Sequence, residues 1–241
     1  MATIQLTPDM PEHKTFRGKP PSPPMFENKL EEREFLKFRL AQALRIFGNH
    51  GYEEGVAGHI TVRDPVQPNC FWVNPFVNHL RGHGCTLRML NTAAFMIHAA
   101  IHAARPDVLC AAHSHSTYGK AFSALGKSLD PISQDACAFY NDHALYTQYN
   151  GIVLDKAEGK AIAEAPGDVS LLIALERACQ VQILADTAAA AQGGKTVKPS
   201  SQQAEETWRL VGSERAGWFS GSLEFAVLER EEGVKFSGSS G

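Results

Sequence analysis

Between residues 29 and 47, Leu36, Leu40, Leu44 and Phe47 recur at three- and four-residue spacing, which predicts a helix with one apolar face. Glu31, Glu32 and Glu34 lie in its first turns, where the helix dipole favours acids, and Gly48-Asn49-His50-Gly51 stops it. The rhythm then turns to alternation. "GVAGHITVRDP" (55–65) sets Ile60 and Val62 between polar neighbours and reads as a strand, turned by Asp64-Pro65. "CFWVNP" (70–75) reads as a second strand, closed by Pro75. From 91 to 104 the chain is apolar nearly all round, which predicts a buried helix ended by Arg105-Pro106. A strand over 107–115 and a helix from Thr117 follow. Further on, 151–155 predicts a short strand and 156–165 a helix. A long helix over 169–191 carries Leu172, Leu175, Cys179 and Ile183 on its inner face. Alternating strands and helices of this kind predict α/β layering.

The two ends read differently. Residues 1–28 hold Pro8, Pro11, Pro20, Pro21, Pro23 and Pro24, which favour an extended, flexible arm. Residues 193–241 begin as a polar linker and continue as a tail with Trp208 and Trp218, expected to pack on the domain of 29–192 or on a neighbouring subunit.

Composition narrows the class. Of 241 residues, 44% are hydrophobic and 20% charged, which suits a core-forming globular chain. The formal charge of −3 creates no field that would recommend nucleic acid as a partner. No apolar run is long enough for a membrane span, and the start carries no secretory signal pattern. Five widely spaced cysteines without a C-x-x-C pair point to reduced thiols and a cytoplasmic location.

His113-Ser114-His115 is the sharpest chemical feature. Residues two apart on a strand project to the same side, and two neutral imidazoles there suit zinc or another divalent metal. A catalytic zinc normally takes three protein ligands, so this pair alone makes a weak or partial site. His98 and His102 lie four apart on the buried helix and read as hydrogen-bonded structural histidines. His143 can join a site only through tertiary contact, and His79 and His83 flank Arg81-Gly82 in a loop-like stretch. Phosphate-cradling glycine loops, a G-x-S-x-G elbow and H-E-x-x-H are all absent, so the sequence marks no cofactor-binding loop.

Taken together, "GVAGHITVRDP", "FWVNP", "NTAAFMIHAAIHAARPDV", "HSHSTYGKAFSALG", "QDACAFYNDHALY", "ALERACQVQILADTAAAA" and "VGSERAGWFS" resemble the class II aldolase/adducin domain, in its fungal-type, adducin-like branch. The resemblance implies α/β/α layers around a central, mostly antiparallel sheet, assembled as a homotetramer. It also implies that His113 and His115 are the first two zinc ligands. In the family's enzymes a third histidine follows in an N-H-G segment, a glutamate moves protons, and the zinc polarises a carbonyl while a carbon–carbon bond is made or cut.

This chain departs from that pattern at definite places. Its last histidine is His143, so the family's third ligand is missing and His143 is the candidate substitute. The acid/base glutamate belongs near Ala94, yet no Asp or Glu occurs between Asp64 and Asp107, which leaves no catalytic residue to name. Phosphate-binding positions differ too: His59 stands where the aldolases have Asn, and Phe76-Val77 replaces a Ser-Gly pair. Relative to the family, the domain is shortened near 77–88 and 166–171, and its sheet is expected to be incomplete. The expectation for function is metal-dependent, lyase-type chemistry on a small carbonyl compound. The alternatives are a non-catalytic, adducin-like module that binds a cytoskeletal protein such as actin, and a shortened variant of an active full-length relative.

Overall fold

The computed structural model describes residues 22–52, 57–74, 91–146 and 172–237. Its first helix, α1 (Lys29–Asn49), starts where the Asn28 side chain accepts a hydrogen bond from the Leu30 N–H. It ends at His50 and at Gly51, whose φ of 74° is a left-handed conformation that glycine adopts without strain. Strands β1 (His59–Arg63), β2 (Phe71–Val73) and β3 (Cys110–His113) form a three-stranded sheet in the order β2-β1-β3, antiparallel throughout. That direction agrees with the family resemblance, and alternation of elements alone does not give it.

Strand alternation explains the layering. Ile60 and Val62 project to one side of the sheet and are buried with Leu40, Phe47 and Tyr52, so α1 covers that face. His59, Thr61 and Arg63 project to the other side, where α2 (Thr92–Ala104) lies and buries Ala94, His98 and His102 at four-residue spacing. The Asn91 side chain caps α2 by accepting from the N–H groups of Ala93 and Ala94. Asp64, just past β1, ties the sheet to α1 through a two-pronged pair with Arg33, at 2.7 and 3.1 Å. Burial alone would raise its carboxyl, but Arg33 and the Val66 and Gln67 backbone hold it below the ordinary carboxylate value.

A second core lies beside the first. Helices α3 (Thr117–Leu125), α4 (Gln134–Cys137) and α5 (Leu172–Ala191) enclose Phe122, Leu129, Ala136, Phe139, Ala178 and Cys179. The inner positions expected for the long helix hold. Leu175, Cys179 and Ile183 face this core, while Leu172 reaches the α1–sheet core, so α5 spans both. The predicted strand at 151–155 and helix at 156–165 lie outside the described residues, as do the regions of both expected shortenings and the arm up to residue 21.

The tail contains more structure than its composition suggests. It forms α6 (Ser201–Val211) and α7 (Glu214–Glu232). A reciprocal capping box between Ser200 and Gln203 starts the first, and the Ser213 side chain caps the second. Helix α7 returns along α1, where Arg39 pairs with Glu229 at 2.8 Å and Arg45 pairs with Glu232. Phe236 then meets the rings of Phe35 and Phe38. Among the described residues, no helix is long and apolar enough to cross a membrane.

Candidate metal and substrate site

The antiparallel register of β1 and β3 sets His59 directly opposite His113. Directly paired residues point to the same side, so both rings lie on the α2 face, with centroids 6.3 Å apart. His115 lies just beyond the strand, its ring 5.0 Å from that of His113 and nearly perpendicular to it. From the helix side, the His98 ring comes within 6.3 Å of the His59 ring. The fold therefore gathers His59, His98, His113 and His115 on one face, with His102 one turn further along α2.

Thr61 organises the deep end of this cluster. It is fully buried, and its Oγ1 lies 2.8 Å from His98 Nδ1 and 2.9 Å from His102 Nε2, with the Ala111 carbonyl at 3.4 Å. A hydroxyl has one proton, so at least one of the two imidazoles must donate its N–H to Thr61. The other ring nitrogens, His98 Nε2 and His102 Nδ1, are buried with no hydrogen-bond partner among the described residues. Burial pushes His98 down to about 3, helped by the imidazoles of His113, His59 and His102. It pushes His102 to about 4, with the Arg63 guanidinium adding to the effect. His113 also falls to about 4, through burial and then through His115 and His59. These rings are neutral at physiological pH, the state in which imidazole binds a metal.

The charged groups nearby are already committed. Arg63 donates to four carbonyls: Val108 at 3.1 Å, Pro68 at 2.7 Å, His102 at 2.6 Å and Arg105 at 3.0 Å. It thereby caps the C-terminal end of α2 and leaves little donor capacity for a ligand. Glu176 of α5 accepts from Ser116 Oγ and from the N–H groups of Tyr118 and Gly119, at the start of α3. Ala94, near which the family resemblance would place an acid/base glutamate, is 5% exposed and lies one turn before His98 on α2.

The predicted site residues thus separate. The rings of His113 and His115 come within 5.0 Å of each other, but β3 ends at His113, so the strand expected over 107–115 is shorter and does not carry His115. His143 lies in the second core, where its Nδ1 contacts the Phe139 carbonyl at 2.7 Å and its Nε2 accepts from the Leu129 N–H at 3.1 Å. Both of its nitrogens are engaged there, away from the sheet. His98 and His102 are hydrogen-bonded as expected, and His79 and His83 lie outside the described residues. Sequence reasoning missed Thr61 and Glu176. Alternation placed Thr61 on the polar side of β1, which was a usable signal, whereas nothing local marks Glu176.

The donor chemistry on this face suits a divalent metal, since His113 and His115 are adjacent and His113 is held neutral. The donor number falls short: among the described residues, no three His, Cys, Asp or Glu side chains stand ready around one point. The described residues therefore bring two imidazoles, His113 and His115, together without a third such side chain beside them.

The model of the class II aldolase and adducin N-terminal domain matches residues 38–181. Decarboxylase NovR of Streptomyces niveus is 36% identical over 261 aligned positions, covering 92% of this chain and 93% of that protein. Those positions outnumber the 241 residues of this chain, so NovR carries residues with no counterpart here. The 4-hydroxy-3-prenylphenylpyruvate oxygenase/4-hydroxy-3-prenylbenzoate synthase of Streptomyces roseochromogenus is 37% identical, over 87% of this chain and 86% of its own length. A solved structure, the L-fuculose 1-phosphate aldolase of Glaciozyma antarctica, is 39% identical and superposes with a TM-score of 0.75, covering 88% of this chain and 95% of that one.

Proposed function

Because the chain belongs to the class II aldolase and adducin N-terminal domain family, we propose that its imidazole face binds a small, unphosphorylated carbonyl compound beside a divalent metal and supports lyase-type chemistry only slowly. The observation that carries this reading is the His113–His115 pair at the end of β3, backed by the buried neutral imidazoles of His98 and His102. A bound divalent ion, zinc or a similar one, supplies Lewis-acid polarisation of a carbonyl oxygen. His113 and His115 would hold that ion. Thr61, His98 and His102 keep the floor of the site dry and in fixed tautomers.

The substrate class follows from what is committed elsewhere. The Arg63 guanidinium serves four carbonyls, and the Tyr118 and Gly119 N–H groups at the start of α3 donate to Glu176, so these donors are not free to anchor a phosphate. A 2-oxo acid needs no such anchor, because its carbonyl and carboxylate oxygens sit on adjacent carbons and suit one ion together. The S. roseochromogenus relative is named for a phenylpyruvate, which is a 2-oxo acid, and the S. niveus relative for decarboxylation. The free thiols of Cys70, Cys110, Cys137 and Cys179 fit a reducing compartment such as the cytoplasm. A protein-binding module of the adducin kind would leave the imidazole face without a use.

Slow turnover follows from the missing acid/base group, whose loss costs roughly 10²–10⁴ in rate. The test is steady-state cleavage of L-fuculose 1-phosphate by the zinc-supplemented chain, with pyruvate as the 2-oxo acid probe for binding. We expect negligible cleavage, and pyruvate binding that depends on zinc. Cleavage at the rate of an ordinary enzyme, abolished in His115→Ala, would overturn the reading.

A further inference from the structure

His115 sits between two fixed points. On one side, His113 is held in the sheet by its pairing with His59. On the other, Ser116 is 8% exposed and donates from Oγ to Glu176 Oε2 at 2.5 Å. The same carboxylate accepts from the Tyr118 N–H at 2.9 Å through Oε1 and from the Gly119 N–H at 2.9 Å through Oε2. Ser116 occupies the N-cap position of α3, yet its own side chain makes no capping hydrogen bond, so a carboxylate from a distant helix performs the capping.

Other residues serve the same contact. A Cβ on Gly119 would lie 2.7 Å from Ser116 Oγ, so a larger residue there would push the hydroxyl off the carboxylate. Gln180, one turn along α5, donates to the Tyr118 hydroxyl at 3.0 Å and gives the turn a second hold. Helix α5 is itself anchored by the buried residues Ala178, Cys179 and Gln182. The carboxylate is therefore delivered by a rigid element more than fifty positions away in sequence.

We propose that Glu176 is a positioning residue for the H-x-H pair: through Ser116, Tyr118 and Gly119 it fixes the turn that carries His115 and so sets how the two imidazoles face each other. This rests on the reading of His113 and His115 as metal ligands. Glu176 does not touch the ion; it acts through the backbone next to its ligand. Supporting groups of this kind typically change metal affinity by roughly ten- to a hundredfold when removed.

The experiment titrates the full chain with zinc and records the imidazole NMR signals of His115 without metal, in the parent chain and in Glu176→Ala, Glu176→Gln and Ile183→Ala. Ile183 packs the same helix into the same core without touching the turn, so its variant reports the effect of lost stability alone. The expected result is a roughly tenfold or larger loss of zinc affinity in Glu176→Ala, a smaller loss in Glu176→Gln, and parent-like affinity in Ile183→Ala at a comparable fall in melting temperature. His115 signals should move only in the Glu176 variants. Unchanged affinity and unchanged His115 signals in Glu176→Ala would overturn the proposal, as would an equal loss in Ile183→Ala. If the parent chain takes up no zinc while the His115 signals still move as expected, the metal reading fails and the positioning role stands.

Discussion

Replacing Thr61 by Val removes one hydroxyl at nearly constant shape from the most buried point of the imidazole face. The oxygen it removes is the partner of both His98 Nδ1, at 2.8 Å, and His102 Nε2, at 2.9 Å. Those rings are 1% and 5% exposed, so water does not replace the lost partner. Their remaining nitrogens lack side-chain partners among the described residues, although the His102 ring also stacks on Phe71 at 4.9 Å. An unsatisfied buried polar group costs about 1–3 kcal/mol, so two of them cost about 2–6 kcal/mol. Against a typical total of about 5–15 kcal/mol, that is a large share. The assay is urea unfolding of the full chain followed by circular dichroism, with Thr61→Ser as the companion that keeps the hydroxyl. Thr61→Val should shift the midpoint strongly at unchanged slope, while Thr61→Ser recovers most of the loss. A Thr61→Val chain within about 0.5 kcal/mol of the parent would refute the reasoning, because ordinary surface changes are of that size.

The same histidines set an acid limit on the fold. His98, His102 and His113 lie at about 3, about 4 and about 4 in the folded chain, below their ordinary 6.5, so the unfolded chain binds more protons at mildly acid pH. Their contribution is complete above about pH 6.5 and is lost as pH falls towards the folded values, at up to about 1.4 kcal/mol per pH unit for each ring. Asp64 is also depressed, so its contribution is present above its ordinary 3.8 and lost below that. Urea midpoints should fall steadily from pH 6.5 to 4, and a flat profile across that range would contradict the neutral state of these rings.

Much of this architecture was legible in the chain because its cause is local. The three- and four-residue spacing of Leu36, Leu40, Leu44 and Phe47 gives α1 its buried face, and alternation at Ile60 and Val62 gives β1 its orientation. The proximity of His113 and His115 is not a strand period, because β3 ends at His113 and His115 lies beyond it. Strand direction was not legible locally, since antiparallel pairing is a matter of which edges meet and needed the family resemblance. The tail helices were missed because Gly217, Gly221 and several serines blur the apolar period of α7, although Ser200, Gln203 and Ser213 mark helix starts. The support of the site was not legible for a related reason. Thr61 touches residues 37 and 41 positions away, and Glu176 reaches back 57 to 60, so no window of sequence contains both partners.

The central claim is that His113 and His115 form a metal-binding pair. Zinc titration of the purified, metal-stripped full chain, followed by competition with a chelating dye, tests it most directly. The account predicts one zinc per chain, held less tightly than in a three-histidine site and lost in both His113→Ala and His115→Ala, with His143→Ala unaffected. Zinc uptake that survives both of the first two substitutions, or no uptake by the parent chain, would contradict it.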